Sequence, residues 1–229
     1  MKWFGYHNLD FRDKLTIRKN MLLFIILITL FGSFHIIADH YNKIFACYIL
    51  KPLTTFSIIS FALYLTGFEL NHYAFLIFLG LAFSLLGDVF LMLKSDKFMQ
   101  GLISFLIAHI FYIMAFLNAS QISINLYAVI PIVLIGFGYL AVLLPKTGNL
   151  KIPVLIYALI LQAMVITANM FYQTANTTGS LMVLIGAIWF MLSDSILAFA
   201  RFVKSFKLAQ ISVLSTYYIA QTCIVLSLQ

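Results

Sequence analysis

The chain has 229 residues, of which 63% are hydrophobic and only 9% charged, and its mean hydropathy is +1.05. A soluble domain carries roughly 25% charged residues, so this composition excludes a fold that meets water on all sides. The net charge of +7 would point to nucleic acid on a soluble protein, but here the basic residues sit in short gaps between apolar runs, where they read as topology signals and contacts to membrane lipids.

Residues 1–20 are polar and of mixed charge, with Lys2, Arg12, Lys14, Arg18 and Lys19 against Asp10 and Asp13, and with the aromatics Trp3, Phe4, Tyr6 and Phe11. That mixture predicts a segment lying at the membrane interface, and no cleavable signal peptide is expected in it. Eight apolar runs follow, at 21–38, 44–66, 72–93, 98–117, 125–144, 153–173, 179–200 and 208–228. Each approaches the ~20 residues a helix needs to cross the hydrocarbon. In lipid every backbone N–H and C=O must be paired internally, and long continuous apolar runs select helices over a β-barrel. The expectation is an all-α integral membrane protein, a bundle of eight transmembrane helices, with 21–229 as a single multi-pass domain. Breakers mark the gaps: Lys-Ser-Asp-Lys at 94–97, Pro145 to Gly148, Asn176 to Gly179. Cys47 and Cys223 fall inside apolar runs and read as small packing residues rather than a disulfide.

The gaps after runs 1, 3, 5 and 7 hold Lys43; Lys94 and Lys97; Lys146 and Lys151; and Arg201, Lys204 and Lys207, whereas those after runs 2, 4 and 6 hold no Lys or Arg. The positive-inside rule places the basic, odd-numbered loops in the cytoplasm. Both termini would then lie outside, which conflicts with the basic N-terminal segment; the four loops outweigh the one tail.

A faint repeat links runs 3 and 7. Gly80 precedes Asp88 by eight residues in GLAFSLLGDVFL, and Gly186 precedes Asp194 by eight in GAIWFMLSDSIL. The spacing fits two parallel four-helix repeats, each contributing one aspartate.

Ionisable groups inside membrane spans are costly, so each is a candidate functional residue. Asp88, Asp194 and Lys51 all fall roughly 8–11 Å below the surface of the basic loops at ~1.5 Å per residue. Tyr157, Tyr217 and Tyr218 share that leaflet, and His109 and Gln221 lie somewhat deeper. The opposite half is expected to be nearly empty of polar groups, as a pocket opening to one leaflet requires. Gly80, Ser84 and Asp88 share one face of run 3 at i, i+4 spacing; Asp194, Ala198 and Arg201 line up on run 7; Tyr217 and Tyr218 both lie within reach of Gln221. Two buried carboxyls near one another rarely both ionise. One then acts as general acid while the other orients or deprotonates water. Lys51 holds one carboxylate ionised or binds a phosphate. Plainer roles stand beside these: a structural Lys51–Asp88 ion pair, a packed His109, interface tyrosines, and Arg201 as a surface anchor. His35, Asp39 and His40 have a spacing a metal can use, but near a membrane surface they read as solvated, and no metal is expected.

Several motifs in order are similar to one known family: KPL at Lys51 to Leu53, SLLGDVFLML at Ser84 to Leu93, FMQGLISFLIAHIFY from Phe98 to Tyr112, PVLIYALILQAM from Pro153 to Met164, SDSILAFARF at Ser193 to Phe202 and STYYIAQ at Ser215 to Gln221. In these the chain resembles the lysoplasmalogenase family, the YhhN-like eight-helix membrane proteins. The resemblance implies a lysophospholipid substrate, whose vinyl-ether bond is hydrolysed to a long-chain aldehyde and a glycerophospho-ethanolamine or -choline, with no cofactor and no obligate protein partner. Asp88 and Asp194 would be catalytic, and Lys51, Ser84, His109, Tyr112, Tyr157, Arg201, Tyr217, Tyr218 and Gln221 would bind substrate. The competing class is a lipid or small-molecule transporter with a polar cavity and no chemistry. A third is a structural membrane protein whose acids only pin helices. An intramembrane aspartyl protease fits poorly, because Leu85 stands where its Gly-x-Gly-Asp pattern needs glycine.

Overall fold

The computed structural model describes residues 11–93, 95–122 and 124–229, with side chains from residue 15 onward. The aromatic and charged residues of the expected interfacial segment before Phe11, the side chains of 11–14, and Lys94 lie outside the described residues. Among the described residues the chain is helical: α1 (Phe11–His40), α2 (Ile44–Leu65), α3 (His72–Met92), α4 (Phe98–Ala119), α5 (Leu126–Leu143), α6 (Lys151–Ala175), α7 (Thr178–Phe202) and α8 (Ala209–Leu226), with two 3₁₀ turns between α5 and α6. All eight include a stretch long and apolar enough to cross a membrane. The chain is a multi-pass integral membrane protein. Among the described residues α1 extends from Phe11, ten residues before the apolar run that announced it, so part of the mixed-charge stretch is helical.

Local chemistry sets the helix ends. The Asn71 side chain accepts from the Ala74 N–H at 2.8 Å and starts α3. Thr177 and Ser180 form a capping box at the start of α7. Asn176, at φ +45°, turns the chain out of α6 in the left-handed conformation that asparagine tolerates.

Packing divides the bundle into a core and a periphery. Helix α8 has over half of its most apolar window buried, α5 about a tenth. Helix α3 packs chiefly on α4, and α7 on α8; α2 packs on α8, and α6 on α4. The two halves therefore exchange partners, and a shift of four helices maps each of these pairings onto another. The glycines of the repeat occupy matching places. A Cβ on Gly80 would stand 2.2 Å from the Tyr112 ring of α4, and one on Gly186 would stand 2.9 Å from the Ala220 carbonyl oxygen of α8. Each glycine permits the close helix approach that lowers its aspartate into the centre of the bundle.

The half of the bundle away from the basic loops is less bare than the residue count implies. Tyr73 and Ser227 bond at 2.6 Å, Asn20 donates to Tyr64 at 3.1 Å, and Asn169 is buried on α6. The first two are isolated pairs, and the Asn169 side-chain nitrogen is buried without a hydrogen-bonding partner.

Candidate active site

The residues around Asp88 come from three helices. Lys51 and Thr55, one turn apart on α2, both face α3. Lys51 Nζ lies 3.1 Å from Asp88 Oδ1, and the Thr55 hydroxyl donates to Oδ2 at 2.8 Å. From α8, the Tyr217 hydroxyl donates to the same Oδ2 at 2.8 Å. Behind Tyr217 runs a directed relay. Tyr112 donates to Gln221 Oε1 at 2.7 Å, and Gln221 Nε2 donates to the Tyr217 oxygen at 3.3 Å. Each member passes its donor forward, so the relay ends with a proton offered to Asp88. All of these residues are buried. The three groups bonded to the Asp88 carboxyl are thus two hydroxyl donors and an ammonium.

The surroundings of Asp194 on α7 differ. The Tyr157 hydroxyl of α6 donates to Oδ2. His109 Nε2 of α4 lies 3.8 Å from that oxygen, too far for a direct hydrogen bond. Both His109 ring nitrogens are fully buried without a hydrogen-bonding partner, and the ring is held edge-on against Phe190 and Tyr157. Among the described residues no Lys or Arg pairs with Asp194. Its backbone is pinned on both sides: the Ser193 hydroxyl donates to the Val213 carbonyl of α8 at 3.0 Å, and Tyr139 of α5 donates to the Ser195 carbonyl at 2.6 Å. The exchange of partners between halves recurs here. Asp88 is held by α2 and α8, whereas Asp194 is held by α6 and only faced by α4.

Both carboxyls line one cavity of about 510 Å³, together with Lys51, Tyr217, Asp39 and Arg201. At its mouth Arg201 pairs with Asp96 and its guanidinium lies 5.0 Å from the centre of the Phe98 ring. The Arg201 guanidinium and the Phe98 N–H hold the Asp96 carboxyl below the usual carboxylate range.

Not every candidate falls where its helical face suggests. Tyr218 turns away from Gln221 and bonds His35 Nδ1 at 2.8 Å. Arg201 reaches the surface and Asp96 rather than Asp194, as a long cationic side chain near a helix end does. Ser84 is buried one turn above Asp88 without a hydrogen-bonding partner. His35 is committed to Tyr218, and no group of three His, Cys, Asp or Glu side chains gathers to hold a metal among the described residues. Cys47 and Cys223 are free thiols. Thr55 and Tyr139 escaped the sequence reading. Thr55 had a signal, four residues after Lys51 on the same face; Tyr139 had none, because only the packing brings α5 to α7.

A model of the YhhN family matches residues 46–228. The chain belongs to the YhhN family. That match begins in α2 and covers every residue around both aspartates, leaving His35 and Asp39 of α1 outside it. Among curated relatives of this YhhN protein, Lysoplasmalogenase TMEM86B of Mus musculus is 30% identical over 148 residues, 65% of this chain and 61% of that protein. Lysoplasmalogenase TMEM86A of Bos taurus is 32% identical over 167 residues, 70% of this chain and 68% of that protein. The Uncharacterized membrane protein YhhN of Escherichia coli O157:H7 is 25% identical over 183 residues, 79% of this chain and 86% of that protein. The chain spans about three fifths of the length of the TMEM86B relatives it matches. No solved structure matches the chain.

Proposed function

We propose that this YhhN protein hydrolyses the vinyl-ether bond of a lysoplasmalogen, with Asp194 as the general acid and Asp88 as a fixed carboxylate. The observation that carries this reading is the unequal treatment of two carboxyls in one cavity: among the described residues, Asp88 has a cation and two hydroxyl donors, Asp194 only the Tyr157 hydroxyl. A buried carboxyl without a countercharge holds its proton, whereas one beside an ammonium gives it up. The names of the mouse and bovine relatives supply the substrate class.

The chemistry balances without metal or organic cofactor. Protonated Asp194 transfers its proton to the vinyl carbon remote from oxygen, and the carbon bonded to oxygen becomes an oxocarbenium ion. Water adds there and returns one proton to Asp194, restoring the acid. The hemiacetal then collapses: its hydroxyl proton passes to the glyceryl oxygen, the C–O bond breaks, and an aldehyde and a glycerophospho-alcohol result. Tyr157 steadies the Asp194 anion that exists between the two proton transfers. Asp88, fixed by Lys51, Thr55 and Tyr217, presents negative charge to the cation. Arg201 at the mouth suits the phosphate.

In this reading residues 21–229 act as one membrane domain, substrate enters from the leaflet of the basic loops, and those loops are cytoplasmic. The test is aldehyde release from a vinyl-ether lysolipid by the purified protein in detergent, with an ester lysolipid as control. A transporter needs two compartments and would release none. Absence of aldehyde from a folded preparation would remove the hydrolase reading.

A further inference from the structure

The shared cavity accounts for a headgroup and a reacting bond but leaves a long hydrocarbon chain without a place. A second cavity of about 380 Å³ adjoins it, among α4, α5, α6 and α7. Its inner wall is apolar and buried, with Leu140, Val154 and Leu161. Asp194 lines both cavities, as do Leu91, Phe105 and Leu197, so the carboxyl stands at the neck between them. On the outer side the second cavity is bounded by Ile135 of α5 and by Ile188 and Leu192 of α7. All three are exposed on the bundle's outside, which in this protein is the face toward lipid. Ala158, next to Tyr157 in sequence, also borders the space.

Three features point to one occupant. The volume lies within the ~300–1,000 Å³ of ordinary small-ligand sites. An apolar space bounded by lipid-facing side chains is filled by hydrocarbon rather than water. Finally, the polar–carboxyl–apolar sequence of the two cavities repeats the headgroup–linkage–chain sequence of a single-chain lipid.

We propose that the second cavity holds the hydrocarbon chain of the lysolipid, that the chain enters sideways between α5 and α7, and that the bond at its head comes to rest beside Asp194. This rests on the hydrolase reading only for what happens at the neck; the seat of the chain does not depend on turnover. The products separate accordingly. The fatty aldehyde leaves between α5 and α7 into the bilayer, and the glycerophospho-alcohol leaves past Arg201 and Asp96.

The experiment uses a saturated alkyl-ether lysophosphatidylethanolamine with a diazirine at the end of its chain, which protonation cannot cleave. Irradiated with the purified full-length protein, it labels the cavity-facing parts of α5, α6 and α7, and an excess of unmodified alkyl lysolipid competes the label away. Ala158→Phe, which fills the space beside Tyr157, lowers that competable label about tenfold and lowers the ratio of long-chain to short-chain vinyl-ether turnover by a similar factor. Competable label on α1, α2 or α8 instead, or label spread over the outside without competition, would overturn the proposal, and wild-type protein alone decides this even if Ala158→Phe does not fold. Failure of the hydrolase reading looks different: no aldehyde from the vinyl-ether lipid, with the label still mapping to α5–α7.

Discussion

Asp88 and Asp194 occupy equivalent places on α3 and α7 of one bundle, yet among the described residues only Asp88 is paired with a Lys or Arg. Each follows a glycine by eight residues, each glycine lets its helix approach the next, and each carboxyl is faced by one helix of its own half and one of the other. Helices α2 and α8 surround Asp88 with an ammonium and two hydroxyls; α6 and α4 give Asp194 one hydroxyl and an imidazole held just out of range. The main helix pairings around the two aspartates thus match while the electrostatics do not. In the chemistry proposed above, two carboxyls can share a cavity and do different work because the helices facing them differ.

The comparison breaks hardest at Asp194. Asp194→Asn should cut aldehyde release by about 10³-fold, within the ~10²–10⁴-fold range of general acid catalysis, while melting in detergent stays close to wild type, since the loss is one hydrogen bond. Asp88→Asn should act on stability as well as turnover. It leaves the Lys51 ammonium buried without a countercharge, and breaking a buried pair costs about 3–5 kcal/mol, visible as a lowered midpoint of thermal unfolding. Combining it with Lys51→Met should restore most of that stability, because a neutral pair of similar size replaces a charged one. If the double variant melts as low as Asp88→Asn alone, the ion pair is not what holds α2 to α3.

Smaller effects sharpen the contrast. Tyr157→Phe removes the hydroxyl that steadies the Asp194 anion. A hydrogen bond to a charged group is worth about 1.5–3 kcal/mol, so kcat should fall by about 10- to 100-fold with little change in KM. Equal loss in kcat and gain in KM would make Tyr157 a binding residue instead. Arg201→Gln should be mildest, a rise of a few-fold in KM with kcat retained, because Arg201 is exposed at the cavity mouth, where a charged contact contributes about 0–1 kcal/mol.

The membrane frame was legible because lipid leaves a chain few choices: eight apolar runs of spanning length can only be helices, and counting rise per residue put Lys51 level with Asp88. Which helices meet was not legible. Nothing in the order of the runs says that α2 packs on α8 or α6 on α4, and so Tyr217 could be placed at the right depth but not on Asp88, nor Tyr157 on Asp194. The partners of Arg201 and Tyr218 were not legible either, for a common reason. A helical face states where a side chain leaves the backbone, not where a long arginine or a tyrosine hydroxyl ends, and each found a partner, Asp96 and His35, from outside its own helix. Which carboxyl the proposed chemistry uses as its acid was likewise hidden, since that proposal rests on the facing residues rather than on either aspartate motif.

The most direct test compares aldehyde release by two folded, purified variants: Asp194→Asn, and Asp88→Asn combined with Lys51→Met. The account predicts that the first is the less active of the two, because it lacks the proton donor while the second has lost only a fixed, paired charge. The reverse ranking, with Asp194→Asn the more active, would contradict it and move the acid to the other half of the bundle.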